Sequence, residues 1–359
     1  MAQSAPVPSE AAGTPADLAV TLEARKRFDD ICTNILNGFP RPANIEEQWM
    51  EIPLADGWQS KTLVIRPKLP TPDFLDSPRV TTTKTALKRP MILYFFGGGF
   101  KAGSPLQIQL PTRKFAEQFN ATVLCPSYRL APEHVWPQAM KDCLEITQIV
   151  SRNQALHYGA DLTHGFIIGG VSAGACASGV VAGLTSHDPK TYPLRHPLTG
   201  VFLSVPGFFQ AETVPEEYKA EWTSRKDNEF AEGFNAATLQ EVFDNFRVTD
   251  YASPWFSPHN LFLGKNKSED MSRHPPTYLA ANQLDPLRDD ALIYQKILAA
   301  SGIPTKHHLY PLDGHNAFST MSSIQIGKST NPSMEEGTME GMKWLVDQID
   351  LGSEEAISP

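Results

Sequence analysis

Residues 170–174 read Gly-Val-Ser-Ala-Gly and join an apolar run, GFIIGG, to a second apolar segment that begins at Ala173. A serine with glycine two residues away on each side, where a strand gives way to a helix, has the spacing of a nucleophile turn. The small residues let the backbone reverse sharply, and the hydroxyl projects above the strand end with the helix N-terminus beneath it. The competing reading is a tight turn whose serine only caps the helix. A hydroxyl is a poor nucleophile at neutral pH, so Ser172 needs an adjacent base, and the base needs a third group to fix its tautomer. Chain order supplies both: Asp285 follows TYLAA in ANQLDPLRDD, and His315 follows KHHLY in PLDGHNAF. Asp285-Pro286 also reads as an N-cap with proline at the first helical position. Of the 10 histidines, His307 and His308 fall inside a strand-like run and lack a loop's freedom, which leaves His315 best placed.

A third element is Tyr94-Phe95-Phe96-Gly97-Gly98-Gly99-Phe100, a strand-like run that enters three glycines. Glycines let backbone N–H groups approach a substrate oxygen that a side chain would exclude. Gly97, Gly98 and Gly99, with the N–H of Ala173 after the serine, are therefore candidates for an oxyanion hole, where one donor contributes about 2.7–4 kcal/mol. A phosphate-binding loop is excluded on spacing, because neither G-x-x-x-x-G-K-[ST] nor a helix-opening G-x-G-x-x-G occurs here.

Such groups need a scaffold that presents them together. Residues 61–66, 91–96, 121–127, 165–170, 201–205, 277–281 and 307–310 are short β-branched or aromatic runs bounded by Gly or Pro and predict strands. Residues 18–36, 111–119, 137–157, 173–184, 288–300 and 334–349 predict helices. Strand alternates with helix, which implies an α/β fold: a mostly parallel sheet covered on both faces, with ligands at the carboxyl ends of its strands. Residues 1–16 read as a disordered tail, 17–50 as an N-terminal cap segment, 51–207 and 273–352 as the two parts of the core, and 208–272 as a cap insert.

The 359 residues, 41% of them hydrophobic, are enough for one large core, and the formal charge of −9 argues against nucleic acid as a partner. The N-terminus lacks the basic and apolar regions of a secretory signal, and no run approaches a membrane span. Four scattered cysteines form no C-x-x-C pair. The expectation is free thiols in a cytoplasmic protein.

The ordered stretches YFFGGGFKAGS, SYRLAPEHVWPQAMKD, GGVSAG, SPWFSPHNL, ANQLDPLRDD and PLDGHNAF resemble the hormone-sensitive-lipase-like family of α/β-hydrolases over most of residues 60–345. The resemblance implies an α/β-hydrolase fold with a helical cap, Ser172 as nucleophile, Asp285 as acid and His315 as base. It also implies an oxyanion region at Gly97, Gly98, Gly99 and Ala173, and neither metal nor organic cofactor. The expected reaction is hydrolysis of a small apolar ester through an acyl-enzyme. Phe100, Phe208, Phe209, Trp255 and Phe318 are candidates for substrate contact, with Trp136 and Phe256 near the same predicted mouth. Homodimerisation is left open.

Two departures from the family pattern stand out: Phe96 where the glycine loop usually begins with His, and Val171 where Asp or Glu usually precedes the serine. Phe96 either packs in place of the imidazole or marks a site adapted to another reaction. The alternatives are thus a transesterase, or a lyase or cyclase of specialised metabolism, on the same fold. A non-catalytic small-molecule receptor, like the plant gibberellin receptors of the family, is a further alternative, against which the presence of His315 argues.

Overall fold

The computed structural model describes residues 15–68, 89–153, 156–263, 273–322 and 332–355. Most of the expected N-terminal tail and the last part of the expected cap insert, 264–272, lie outside the described residues. Eight strands form one sheet: β1 Ile45–Pro53, β2 Gln59–Pro67, β3 Met91–Phe95, β4 Thr122–Pro126, β5 Phe166–Val171, β6 Gly200–Ser204, β7 Thr277–Asn282 and β8 Thr305–Tyr310. Their order is β1-β2-β4-β3-β5-β6-β7-β8, with β2 antiparallel to both neighbours and every pair from β4 to β8 parallel. Every residue of β3, β5, β6 and β7 is buried, as expected of parallel strands covered on both faces. Helices α2 (Gln109–Gln118) and α8 (Pro332–Glu355) cover one face; α3 (Gln138–Arg152), α4 (Ala173–His187) and α7 (Arg288–Ala300) form the other layer.

The sheet begins earlier in the chain than expected. Residues 45–50, assigned above to the cap segment, pair with β2 from Ile45↔Pro67 through Met50↔Thr62. The strand IEEQWMEIP buries only Ile45 and Ile52, so its apolar alternation is too weak to read, and its three glutamates suit an exposed sheet edge.

The topology locates the crevice. From β3 the chain moves outward to β4, and from β5 it moves the other way to β6, so the direction of winding reverses between the neighbouring strands β3 and β5. Ligands bind beyond the carboxyl ends of strands at such a switch point. The ends concerned carry Phe96-Gly97 and Ser172.

Two segments close over that crevice. Helix α1 (Pro15–Asn37) is pinned by Arg25, which donates to the carbonyls of Lys101 (2.8 Å) and Ala131 (2.7 Å) and pairs with Glu133 (2.6 Å). Between β6 and β7 the insert forms α5 (Ser224–Asp227) and α6 (Ala236–Phe246), the latter opened by an Asn235–Thr238 capping box. The first turn of α7 anchors this insert. Asp290, fully buried, accepts hydrogen bonds from the backbone of Phe208 (2.8 Å) and Phe209 (3.1 Å) and from Trp222 Nε1 (3.0 Å), and pairs with Arg225 (3.0 Å). Burial pushes the Asp290 carboxyl above its ordinary range, against the pull of Arg225. Asp289 accepts from the backbone of Thr223 and Ser224, each at 2.7 Å.

Candidate active site

The turn after β5 is sterically exacting. A Cβ on Gly174 would stand 2.2 Å from the Phe95 carbonyl oxygen, and one on Gly170 would stand 2.5 Å from the Gly174 carbonyl carbon. Only glycine fits at either position. Between them Ser172 adopts φ 52° and ψ −115°, a conformation that costs a non-glycine residue on the order of 1–3 kcal/mol and that persists because its surroundings impose it. The Ser172 side chain makes no capping bond to α4, which disposes of the helix-cap reading. Its Oγ lies 2.9 Å from His315 Nε2 instead.

The chain of groups continues from the imidazole to the acid. His315 Nδ1 is 2.8 Å from Asp285 Oδ2, while Asp285 Oδ1 accepts the Leu287 N–H at 2.8 Å. Asp285 is fully buried just past β7, so the carboxylate is shielded from solvent and holds the imidazole with its Nδ1–H toward the acid. The Phe234 ring stacks on the His315 ring with centroids 4.1 Å apart. Asn282, the last residue of β7, donates from Nδ2 to the carbonyls of both Gly314 (2.5 Å) and Asn316 (2.7 Å) and so clamps the loop on either side of His315. Sequence reasoning missed this role, although Asn282 stands only three residues before Asp285. Asn282→Leu, close in shape but without the donors, should lower kcat about 10-fold with little change in KM, because a slack base loop loses aim rather than affinity. Steady-state kinetics beside a melting curve checks it; an equal loss in the His315→Ala background would rule out action through His315.

The glycine loop is held differently from the expectation. The Gly97 N–H donates to Gln107 Oε1 at 2.7 Å, so it is already engaged and is removed from the candidate oxyanion donors. Among the described residues no acceptor meets the Gly98 or Gly99 N–H, and Ala173 begins α4, where N–H groups lack intrahelical partners. Gly98 and Gly99 have φ of 118° and 60°, and the Val242 side chain of α6 would lie 2.6 Å from a Cβ on Gly99. Phe96 is buried, stacked on Tyr128 with ring centroids 4.4 Å apart, and its carbonyl accepts the Tyr128 O–H at 2.7 Å. Packing is thus what this departure does in the fold.

A cavity of about 410 Å³ opens over Ser172 and His315 and is lined also by Gly97, Gly98, Gly99 and Gln107. Its apolar wall comes from Phe28 of α1, Val205, Phe234, Val242, Ala317 and Met321; Lys101 and Glu241 pair at its rim. None of the five aromatic residues expected to touch substrate lines it. Phe208 and Phe209 are fully buried against Tyr294 and His259, and Phe100 is stacked on Phe246 at 4.1 Å. Phe318 is buried as well, and Trp255 packs edge-on against Tyr192. Proximity in sequence to the crevice does not decide which way a ring points. Phe28 and Phe234 were missed because their elements reach the cleft only through tertiary packing.

Comparison with known proteins agrees with this architecture. The α/β hydrolase fold family matches residues 92–319. A versiconal hemiacetal acetate esterase of Dothistroma septosporum is 29% identical over 260 residues, covering 72% of this chain and 74% of that protein. Esterase LipI of Mycobacterium tuberculosis is 30% identical over 225 residues, 61% of this chain and 62% of its own length. The crystal structure of vibralactone cyclase superposes with a TM-score of 0.76 at 23% identity, covering 96% of this chain and 93% of that one. The thermostable carboxylesterase EstE1 from a metagenomic library superposes with a TM-score of 0.70 at 20% identity, covering 92% and 97%. At those identities the two structures speak to the fold alone. The chain belongs to the α/β-hydrolase-fold family, in its hormone-sensitive-lipase-like carboxylesterase group.

Proposed function

We propose that this serine carboxylesterase cleaves a small apolar ester through an acyl-enzyme on Ser172, with His315 as general base and Asp285 as its orienting acid. The observation that carries the reading is the unbroken series Ser172 Oγ, His315 Nε2, His315 Nδ1, Asp285 Oδ2, with hydrogen-bonded steps of 2.9 and 2.8 Å at the floor of the cavity. As Oγ adds to the ester carbonyl carbon, its proton passes to Nε2 and the imidazolium is stabilised by Asp285. The carbonyl electron pair moves to oxygen, where the N–H groups of Gly98, Gly99 and Ala173 are the candidate donors. His315 then returns the proton to the departing alkoxide, and the alcohol leaves. Water repeats the sequence on the acyl-enzyme, releasing the acid and restoring Ser172.

The cavity lies within the ~300–1,000 Å³ range of small-molecule sites, and its apolar wall favours an uncharged substrate. Lys101 and Glu241 neutralise each other at the rim, so neither is offered as a lone charge to an ionic ligand. All four cysteines are free and buried, which supports a reducing, cytoplasmic setting. Among the described residues no helix is long and apolar enough to cross a membrane.

A serine-directed fluorophosphonate should form one adduct, at Ser172, when mapped by mass spectrometry. Nitrophenyl acetate should release free acetate and nitrophenol in equal amounts. A label on another serine in folded protein, or acetate recovered only as a new ester, would overturn the nucleophile assignment or the hydrolytic outcome respectively.

A further inference from the structure

We propose that Gln107 is the positioning residue of the oxyanion loop, supplying through its side-chain carbonyl the anchor that an imidazole at position 96 would otherwise be expected to provide; this role rests on the hydrolase reading above. The carbonyl of Phe96 and the N–H of Gly97 belong to one peptide plane. Tyr128 O–H bonds the carbonyl at 2.7 Å and Gln107 Oε1 bonds the N–H at 2.7 Å, so that plane is held from both ends. Rotation of the plane would break both bonds. The next two peptides carry the Gly98 and Gly99 N–H groups, and a planar peptide fixed at one end leaves them only the soft dihedrals of two glycines to drift through. The loop beyond is self-bonded, with the Gly98 carbonyl accepting from Lys101 and Ala102 N–H at 3.0 Å each. The Phe96–Gly97 peptide is therefore the point at which the donors of the hole are referenced to the rest of the protein, and Gln107 holds its N–H side.

Gln107 is itself rigidly carried. It sits in the short 3₁₀ turn Pro105–Ile108, which Ser104 caps through its side chain and which proline starts. The Gln107 carbonyl accepts the Thr320 N–H at 2.7 Å, and the Leu106 carbonyl accepts the Thr320 hydroxyl at 2.6 Å. Thr320 lies five residues beyond His315 on the same loop. One turn thus sets the oxyanion peptide against the segment that carries the base, and the distance between base and hole follows from it.

The test uses the full chain and three variants. Gln107→Glu keeps an acceptor oxygen at the same reach, Gln107→Met keeps the shape without it, and Gln107→Asn withdraws it by one methylene. Each is assayed for kcat and KM on nitrophenyl acetate and for the inhibition constant of an aryl trifluoromethyl ketone, whose serine adduct carries an oxyanion, with melting curves alongside. Gln107→Met and Gln107→Asn should lose about 10- to 100-fold in kcat with KM within about twofold, and should weaken the ketone by the same factor, since a displaced donor acts on the charged species and not on bound ester. Gln107→Glu keeps the acceptor but sets a carboxylate near the oxyanion, so it should lose less of both than Gln107→Met without matching wild type. Should Gln107→Met fail to fold, the Gln107→Asn and Gln107→Glu pair still decides the matter. Wild-type kcat and ketone affinity in the Met or Asn variant, a loss confined to KM, or equal losses in the Glu and Met variants would overturn the proposal while leaving an active wild type. A wild-type chain that neither hydrolyses the ester nor binds the ketone would overturn the hydrolase reading, and the proposal with it.

Discussion

Ser172→Ala should lower kcat by about 10⁶-fold without unfolding the protein, and His315→Ala should cost as much, with the double variant losing no more than either alone. The reason lies in the connectivity. Ser172 Oγ makes no capping bond and is paired with His315 Nε2, so removing it deprives α4 of nothing and deprives the reaction of its proposed nucleophile. Removing the imidazole leaves an alcohol that cannot shed its proton. Because the two groups act as a unit, their losses do not add. The backbone offers a separate check, since alanine at 172 inherits φ 52° whereas glycine adopts it freely. Ser172→Gly should therefore be inactive yet melt above Ser172→Ala, by the equivalent of about 1 kcal/mol. Rate assays and melting curves on the four variants read all of this. Turnover above a thousandth of wild type in Ser172→Ala, with host esterase removed, would place the nucleophile elsewhere.

Asp285→Asn should lower kcat by about 10⁴-fold while the fold stays intact. The two oxygens of Asp285 have different duties: Oδ1 accepts the Leu287 N–H at 2.8 Å and Oδ2 faces His315 Nδ1 at 2.8 Å. Asparagine can keep the first bond with its carbonyl oxygen, so the start of α7 retains its anchor. The amide NH₂ then points at Nδ1 and demands an acceptor there, which forces the proton to Nε2. In that tautomer Nε2 can no longer take the serine proton. Phosphonylation of Ser172 should slow in parallel with ester turnover, because both need the same proton transfer. A loss smaller than about 10-fold, or a loss accompanied by a lowered melting temperature, would make Asp285 a structural carboxylate.

Much of the site was legible in sequence because its chemistry is local. Gly170 and Gly174 announce the turn around Ser172 through the absence of side chains, and the clash distances of 2.5 and 2.2 Å show why no other residue could stand there. Asp285 and His315 were legible for a similar reason, Asp285 standing just past the buried strand β7 and His315 on the loop after β8. The buried parallel strands declared themselves as short β-branched and aromatic runs. Strand β1 did not, since an edge strand with two buried residues in nine carries almost no periodic signal.

What tertiary structure decided was which groups face one another across long sequence separations. That Gln107 meets Gly97, that Tyr128 meets Phe96 and that Asn282 brackets His315 depends on the loops after β3, β4, β7 and β8 all leaving the carboxyl ends of parallel strands. A glutamine, a tyrosine and an asparagine have many uses, and nothing in their own neighbourhoods distinguishes these. The direction of each aromatic ring was decided in the same way: Phe208 and Phe209 pack into the core against Tyr294 and His259, while Phe28 and Phe234, far from any motif, reached the cleft on packed elements. The sequence by itself determined the turn, through sterics within a few residues, the order of Ser172, Asp285 and His315 along the chain, and the alternation of strand and helix that makes the sheet. Which donors remain available to the oxyanion, and which walls the substrate meets, came from hydrogen bonds and packing that exist only once the chain is folded.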